Sequence, residues 1–182
     1  MNNNRKYISI FCGSRNGNDP NLVKLAFELS YRISNKYGLI YGGTNIGLMN
    51  AFANGALNNN GELIGVITEQ FKIDGIMHTD VVNMITAPDM HKRKEEIYKR
   101  ADIYLVFPGG FGTLDELFEI LTWKSLNLLD KPIIIFNYKG FFDYLILFLN
   151  NSLTDGFITD KMNDLFVIID DFDELQKILQ LR

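Results

Sequence analysis

One cysteine, two histidines and no long apolar run in 182 residues exclude several classes of protein at once. The lone Cys12 rules out an intrachain disulfide and any multi-cysteine metal site. His78 and His91 are too few and too poorly spaced to hold a metal, so none is expected. No stretch approaches the ~18 apolar residues that a bilayer span needs, and no membrane association is expected. The N-terminal stretch Met1 to Phe11 carries the basic pair Arg5-Lys6, but its apolar part is too short for a signal peptide, which predicts a cytoplasmic protein. Positive charge is not in surplus: 18 basic against 22 acidic side chains leave a net charge of -4. No global basic field therefore favours nucleic acid. A small local cluster still suffices for one phosphate.

The common nucleotide fingerprints are also missing. A Walker A loop built on Gly42 and Gly47 needs a lysine next, and Leu48 stands there. Gly110 and Gly112 are followed by Asp115 where a Gly-x-Gly-x-x-Gly loop needs its third glycine. A P-loop NTPase and an NAD-dependent dehydrogenase are thereby disfavoured.

What is present is a regular alternation. Short β-branched runs at Tyr7–Phe11, Leu39–Tyr41, Leu63–Ile67, Val81–Thr86, Ile103–Phe107, Ile133–Phe136 and Phe166–Ile169 read as strands. Between them lie helical periods, such as Leu22, Leu25, Ala26, Leu29 and Ile33 on one stripe. Further helices are expected from Gly47 to Leu57, from Asp89 as N-cap to Arg100, from Leu114 to Leu128, near Phe141 to Asn150, and from Asp171 onward. Residues 68–80 show no period and read as a lid or a plain excursion. No repeat or linker divides the chain, so residues 1–182 form one domain. The pattern predicts an α/β, Rossmann-like, doubly wound and mostly parallel sheet with helices on both faces.

Ligands in such sheets bind beyond the carboxyl ends of the strands. Three of those exits are rich in glycine: Gly13 to Gly17, Gly42 to Gly47, and Pro108 to Thr113. Glycine permits close backbone approach, and the free N–H groups of the following helix favour an anion. Tight turns alone would also explain any single loop. Together the three point to a phosphate, gripped above all by Pro108 to Thr113.

Two side chains carry alternative readings. Arg93, within Met90-His91-Lys92-Arg93-Lys94, belongs either to a solvated basic face balanced by Glu95 and Glu96 or to a clamp reaching into the site. Thr113-Leu114-Asp115-Glu116 fits a capping box in which Glu116 turns back to its own helix. The same carboxylate, beside a phosphate loop, can instead face a ligand. His78 reads as an exposed loop residue, or as a contact to a base, and Cys12 as a small core residue.

Pro108-Gly109-Gly110-Phe111-Gly112-Thr113-Leu114-Asp115-Glu116 resembles the Pro-Gly-Gly-x-Gly-Thr-x-x-Glu signature of the Lonely Guy family. Met90 to Lys94 resembles that family's second motif. Gly13-Ser14, Gly43-x-x-x-Gly47-Leu48-Met49, Thr122-Trp123 and Lys131-Pro132 follow its order over nearly the whole chain. The resemblance implies a Rossmann-like homodimer that hydrolyses the N-glycosidic bond of cytokinin riboside 5′-monophosphates, releasing base and ribose 5-phosphate without a cofactor. It implies Arg93 and Glu116 as the catalytic pair. By the same motifs Gly13, Ser14, Gly43, Met90, Lys94, Gly109, Gly110, Phe111, Gly112, Thr113, Leu114, Asp115 and Thr122 belong to the substrate site.

Three departures stand out. Asp115 replaces a glutamate, Thr44 replaces the third glycine of a Gly-Gly-Gly turn, and Gly75 stands where an acidic ligand contact is expected, with Asp74 beside it. The base, adenine of AMP or an N6-prenylated adenine, is therefore left open. An older family label, possible lysine decarboxylase, finds no lysine here assignable as a pyridoxal phosphate Schiff base.

The apolar residues Leu117, Phe118, Ile120, Leu121, Trp123, Leu126, Leu128 and Leu129 span more than one helical face. They predict a second packing surface, either on a twofold partner or under the last helices of the same chain. Two other functional classes compete with the hydrolase: a non-catalytic nucleotide-binding or carrier module, and a phosphoribosyl transferase. The first needs no carboxylate beside a sugar. The second lacks here an acidic pair preceding a glycine-rich loop.

Overall fold

A computed structural model describes residues 5–181; residues 1–4, part of the stretch read for a signal peptide, lie outside the described residues, as does residue 182. Seven parallel strands make one sheet in the order β4-β3-β2-β1-β5-β6-β7. They are β1 (Tyr7–Phe11), β2 (Gly38–Tyr41), β3 (Leu63–Thr68), β4 (Asn83–Ala87), β5 (Ile103–Val106), β6 (Ile133–Phe136) and β7 (Val167–Ile169). The central strands are buried on both faces, β2 and β6 along their whole length. That is why their sequences read as continuous apolar runs without alternation.

Helices cover both faces. On one, α1 (Pro20–Ile33), α2 (Gly47–Asn58) and α8 (Phe172–Leu179) enclose Ile8, Ile10, Leu39, Leu105, Phe107 and Phe136. On the other, α4 (Met90–Arg100), α5 (Phe111–Ser125), α6 (Asp143–Thr154) and α7 (Met162–Leu165) enclose Phe11, Ile40, Val66, Tyr104, Val106 and Ile135. Each large side chain so buried contributes about 1.5–3 kcal/mol. Leu22, Ala26, Leu29 and Ile33 form the buried stripe of α1, as their spacing predicts. Asp19, Asp89 and Asp171 cap α1, α4 and α8, each accepting a backbone N–H in the first turn.

Strand order reverses at β1, which pairs with β2 on one side and β5 on the other. This is the switch point where a crevice opens at the carboxyl ends. Phe11 pairs with Val106, so the two strands end level, and Gly13 N then donates to Pro108 O at 3.0 Å. The two glycine-rich exits are thereby tied side by side.

Three expectations change. The helix expected from Leu114 begins at Phe111 with Gly110 as its cap, and no side chain caps it. Thr113 is thus inside α5, and the capping box does not form. Residues 68–80 are not structureless: α3 (Glu69–Ile73) starts on Thr68, and the chain then returns antiparallel to the β2 exit. There Asn45 N donates to Ile76 O at 2.8 Å and His78 N to Gly43 O at 3.0 Å. His78 is accordingly buried, not exposed, with neither ring nitrogen hydrogen-bonded. Burial lowers its pKa, opposed by Asp80. No helix among the described residues is long and apolar enough to cross a membrane.

Candidate active site

A cleft of about 350 Å³ opens beyond β1, β2 and β5. Its floor and one wall carry Cys12, Gly13, Ser14, Met90, Arg93, Gly110, Phe111, Gly112, Thr113, Asp115 and Glu116. An apolar part of the lining comes from the β2 exit, the start of α2 and the 68–80 excursion: Ile46, Met49, Phe71 and Ile76, together with Thr44.

Arg93 settles its two readings by direction. Its side chain is 7% exposed and points inward, whereas Lys92, its neighbour, pairs with Glu95 on the solvent face at 2.8 Å. Arg93 Nε donates to Val66 O at 2.9 Å and Nη2 to Gly42 O at 3.1 Å. The remaining nitrogen, Nη1, lies 3.4 Å from Glu116 Oε1. Backbone carbonyls within β3 and just past β2 thus hold the guanidinium plane.

Glu116 points at Arg93 and not at its own helix start. Its side chain is 12% exposed, and burial raises its carboxyl to about 7 although Arg93 and Lys94 pull the other way; Asp115 adds to the rise. A buried carboxylate that titrates near neutrality beside a fixed cation, in a cleft, is the pattern of a working acid–base group. Cys12 shares this environment: burial, with the Glu116 carboxylate adding, pushes its thiol well above the usual range. It is a neutral thiol at the edge of the core.

Lys94 does not line the cleft. Its ammonium binds Asp115 at 3.0 Å and Glu119 at 2.7 Å, while Glu119 also accepts from Tyr98 Oη at 2.9 Å. Burial alone would depress the Lys94 ammonium, but the hydrogen bonds to Glu119 and Asp115 outweigh it and raise the pKa. Such a lysine locks α4 to α5 and is poorly suited to attack a carbonyl. Thr122 also lies off the cleft, its hydroxyl donating to Phe118 O at 2.7 Å. Leu114 packs into the core on the α4–α5 face, Gly43 lies against Ile67 and Met84, and Gly109 sits beneath Thr113. Of the cleft residues outside the site that the motifs predict, Gly42, Thr44 and Ile46 belong to a flagged strand exit, and Met49 follows it in α2. Phe71 and Ile76 carry no periodic signal.

The α5 helix is sheathed mostly by its own chain, since Leu117, Ile120 and Leu121 are buried. Phe118, Leu126 and Leu128 stay exposed, and so do Tyr144, Leu147, Phe148 and Phe157. Among the described residues no group of three or more His, Cys, Asp or Glu side chains is placed to hold a metal ion.

Comparison with known proteins agrees with this geometry. The molybdenum cofactor binding protein from Rippkaea orientalis superposes with a TM-score of 0.72 at 21% identity, covering 97% of this chain and 96% of that one. The molybdenum cofactor carrier protein of Chlamydomonas reinhardtii gives 0.70 at 19% identity, over 97% and 98%. At such identities the likeness establishes the fold alone. Sequence relatives are nearer. A cytokinin riboside 5′-monophosphate phosphoribohydrolase of Arabidopsis thaliana is 35% identical over 176 residues, 96% of this chain and 83% of its own length. That of Rhodococcoides fascians is 33% identical over 170 residues, 92% of this chain and 86% of its own. Residues 49–179 match the family model described as possible lysine decarboxylase. With the motif of Pro108 to Glu116 in place, this chain belongs to that family, the Lonely Guy family.

Proposed function

We propose that this protein is a nucleoside 5′-monophosphate phosphoribohydrolase, which cleaves the N-glycosidic bond of AMP or an N6-prenylated AMP to free base and ribose 5-phosphate. The observation that carries the reading is the buried Arg93–Glu116 pair, facing the cleft beside an uncapped helix start. The first N–H groups of α5 receive no side-chain cap from the protein, so a phosphate would find both donors and a favourable dipole there. Breaking the C1′–N bond leaves positive charge on the ribose while the base departs with the electron pair. An ionised Glu116 stabilises that charge and orients the water that attacks C1′, and the proton that the water loses ends on the departing base nitrogen. Arg93 holds Glu116 and has one Nη1 edge left for the sugar. The apolar wall of Ile46, Met49, Phe71 and Ile76 suits a purine and an alkyl substituent upon it.

Incubation with AMP and with isopentenyladenosine monophosphate, followed by chromatography of free base and ribose 5-phosphate, tests the proposal. Release from at least one is expected. Binding without release from either would favour a carrier module. The double ion pair at Lys94 leaves that lysine unsuited to form a Schiff base.

We propose further that two copies associate through exposed apolar side chains of α5, α6 and the segments that follow them: Phe118, Leu126, Leu128, Tyr144, Leu147, Phe148 and Phe157. Light scattering at micromolar concentration should report a dimer; monomer alone would reject this.

A further inference from the structure

Gly42 stands at the exit of β2, where turns commonly call for glycine. Its φ is not positive, unlike that of Gly43 at 78° or Gly47 at 61°, so the backbone there accepts any residue. Space is what a side chain there would have to take from Arg93 and Met49. A Cβ on Gly42 would overlap Arg93 Nη2 and come within 2.6 Å of Met49 Sδ. The same residue offers its carbonyl to Nη2 at 3.1 Å, while Val66 O takes Nε at 2.9 Å. Two backbone points and one missing side chain therefore define the guanidinium plane, and they leave Nη1 turned to Glu116.

We infer that Gly42 is a positioning residue for the hydrolytic reaction: its missing side chain and its carbonyl seat Arg93 so that Nη1 meets Glu116 across the cleft floor. It acts through Arg93. This rests on the hydrolase reading for its kinetic consequence, but the seating itself can be read without any turnover. Gly42 also borders the cleft, so the test must separate seating from direct contact with substrate.

Four proteins decide it: wild type, Gly42→Ala, Arg93→Ala and the double variant. Each is assayed on the nucleotide that the wild type cleaves and examined by ¹⁵N NMR of the arginine Nε–H groups. The signal absent from Arg93→Ala is that of Arg93. In the wild type this Nε–H should exchange slowly, being bonded and buried; in Gly42→Ala it should lose that protection. Turnover in Gly42→Ala should fall about 10–100-fold with KM within about threefold, as expected of a misplaced catalytic group. Added to Arg93→Ala, the same change should cost less than about twofold, because its target is gone.

An unaltered Arg93 signal with near-normal kcat in Gly42→Ala overturns the inference. So does a loss that persists in full on the Arg93→Ala background, which would put Gly42 against the substrate. If Gly42→Ala does not fold, the double variant should fold, since deleting the guanidinium removes the tighter overlap and leaves only the flexible Met49 side chain to shift; failure of both overturns the inference. If the wild type releases no base, the hydrolase reading fails, and the NMR arm alone decides the seating.

Discussion

Of the three glycine-rich exits at the cleft, those of β2 and β5 carry glycines that answer different demands. In the β2 exit the protein itself explains them. Gly43 and Gly47 have positive φ; a Cβ on Gly47 would overlap the Ser14–Arg15 backbone, and Gly42 yields to Arg93. In the β5 exit only Gly109 is explained in this way, because its Cβ would strike Thr113. Gly110 and Gly112 have ordinary φ, and a Cβ on either would meet nothing within 4 Å. Packing accounts for neither, and backbone conformation does not account for Gly112, which is helical; Gly110, at φ −100° and ψ −149°, lies outside the regions that L residues favour. What remains for Gly112 is approach by something outside the chain, at the point where α5 offers uncapped N–H groups. A glycine that the fold does not need is a better pointer to a ligand than one that it does.

The largest expected effect removes the carboxylate that the β5 exit places. Glu116→Gln should bind nucleotide but lose about 10³-fold in turnover, the scale for deleting one electrostatic stabiliser of a transition state. Base release from the wild-type substrate at the wild-type rate would take Glu116 out of the chemistry. A stability test then addresses the β2 exit. Gly47→Ala combines positive φ with backbone overlap and should cost about 3 kcal/mol, read as a lowered denaturation midpoint. A neutral outcome would mean that the exit relaxes freely and that its glycines, too, are spare.

Glu116 also supplies a pH signature. Its carboxyl ionises near 4.5 in an ordinary setting and at about 7 here. Between those values the native state keeps a proton that the unfolded chain has released, so stability falls as pH rises through that window. Above it the deficit is complete. Glu116→Gln should therefore be more stable than wild type at pH 8 by about 3 kcal/mol, with the difference fading toward pH 4.5. Denaturant titrations at both pH values check this. An equal gain at both would assign the titration to another group. Energy set against folding at such a site is common where chemistry needs a strained charge.

The strands, the start of α4 at Asp89 and the parallel sheet were legible because burial on both faces and capping are local in sequence. Arg93 was legible as a residue but not in its direction. Solvated pairs with Glu95 and Glu96 fit the same spacing, and only the carbonyls of Gly42 and Val66, from distant strands, draw it inward. The start of α5 was misplaced because Gly110 and Gly112 read as part of the strand's exit loop and Thr113 as a cap. His78 and Phe71 were opaque for a further reason. Their segment is ordered by hydrogen bonds to residues 43–45, a pairing that no local period records.

The smallest effect is the sharpest test of the contrast between the exits. Gly112 lies in the first turn of α5 with open space where its Cβ would be. By helix propensity alone, Gly112→Ala should leave the protein as stable as before or raise stability by up to about 1 kcal/mol. The same methyl would stand where phosphate approaches the helix N–H groups. A rise in KM for the nucleotide of about tenfold, roughly the 1.4 kcal/mol of a weakened charge-assisted hydrogen bond, is therefore expected together with an unchanged or higher melting temperature. Stability and binding must move in opposite directions, or at least not together. Were stability to fall along with affinity, Gly112 would be a folding residue like Gly47, and the distinction between the two exits would collapse.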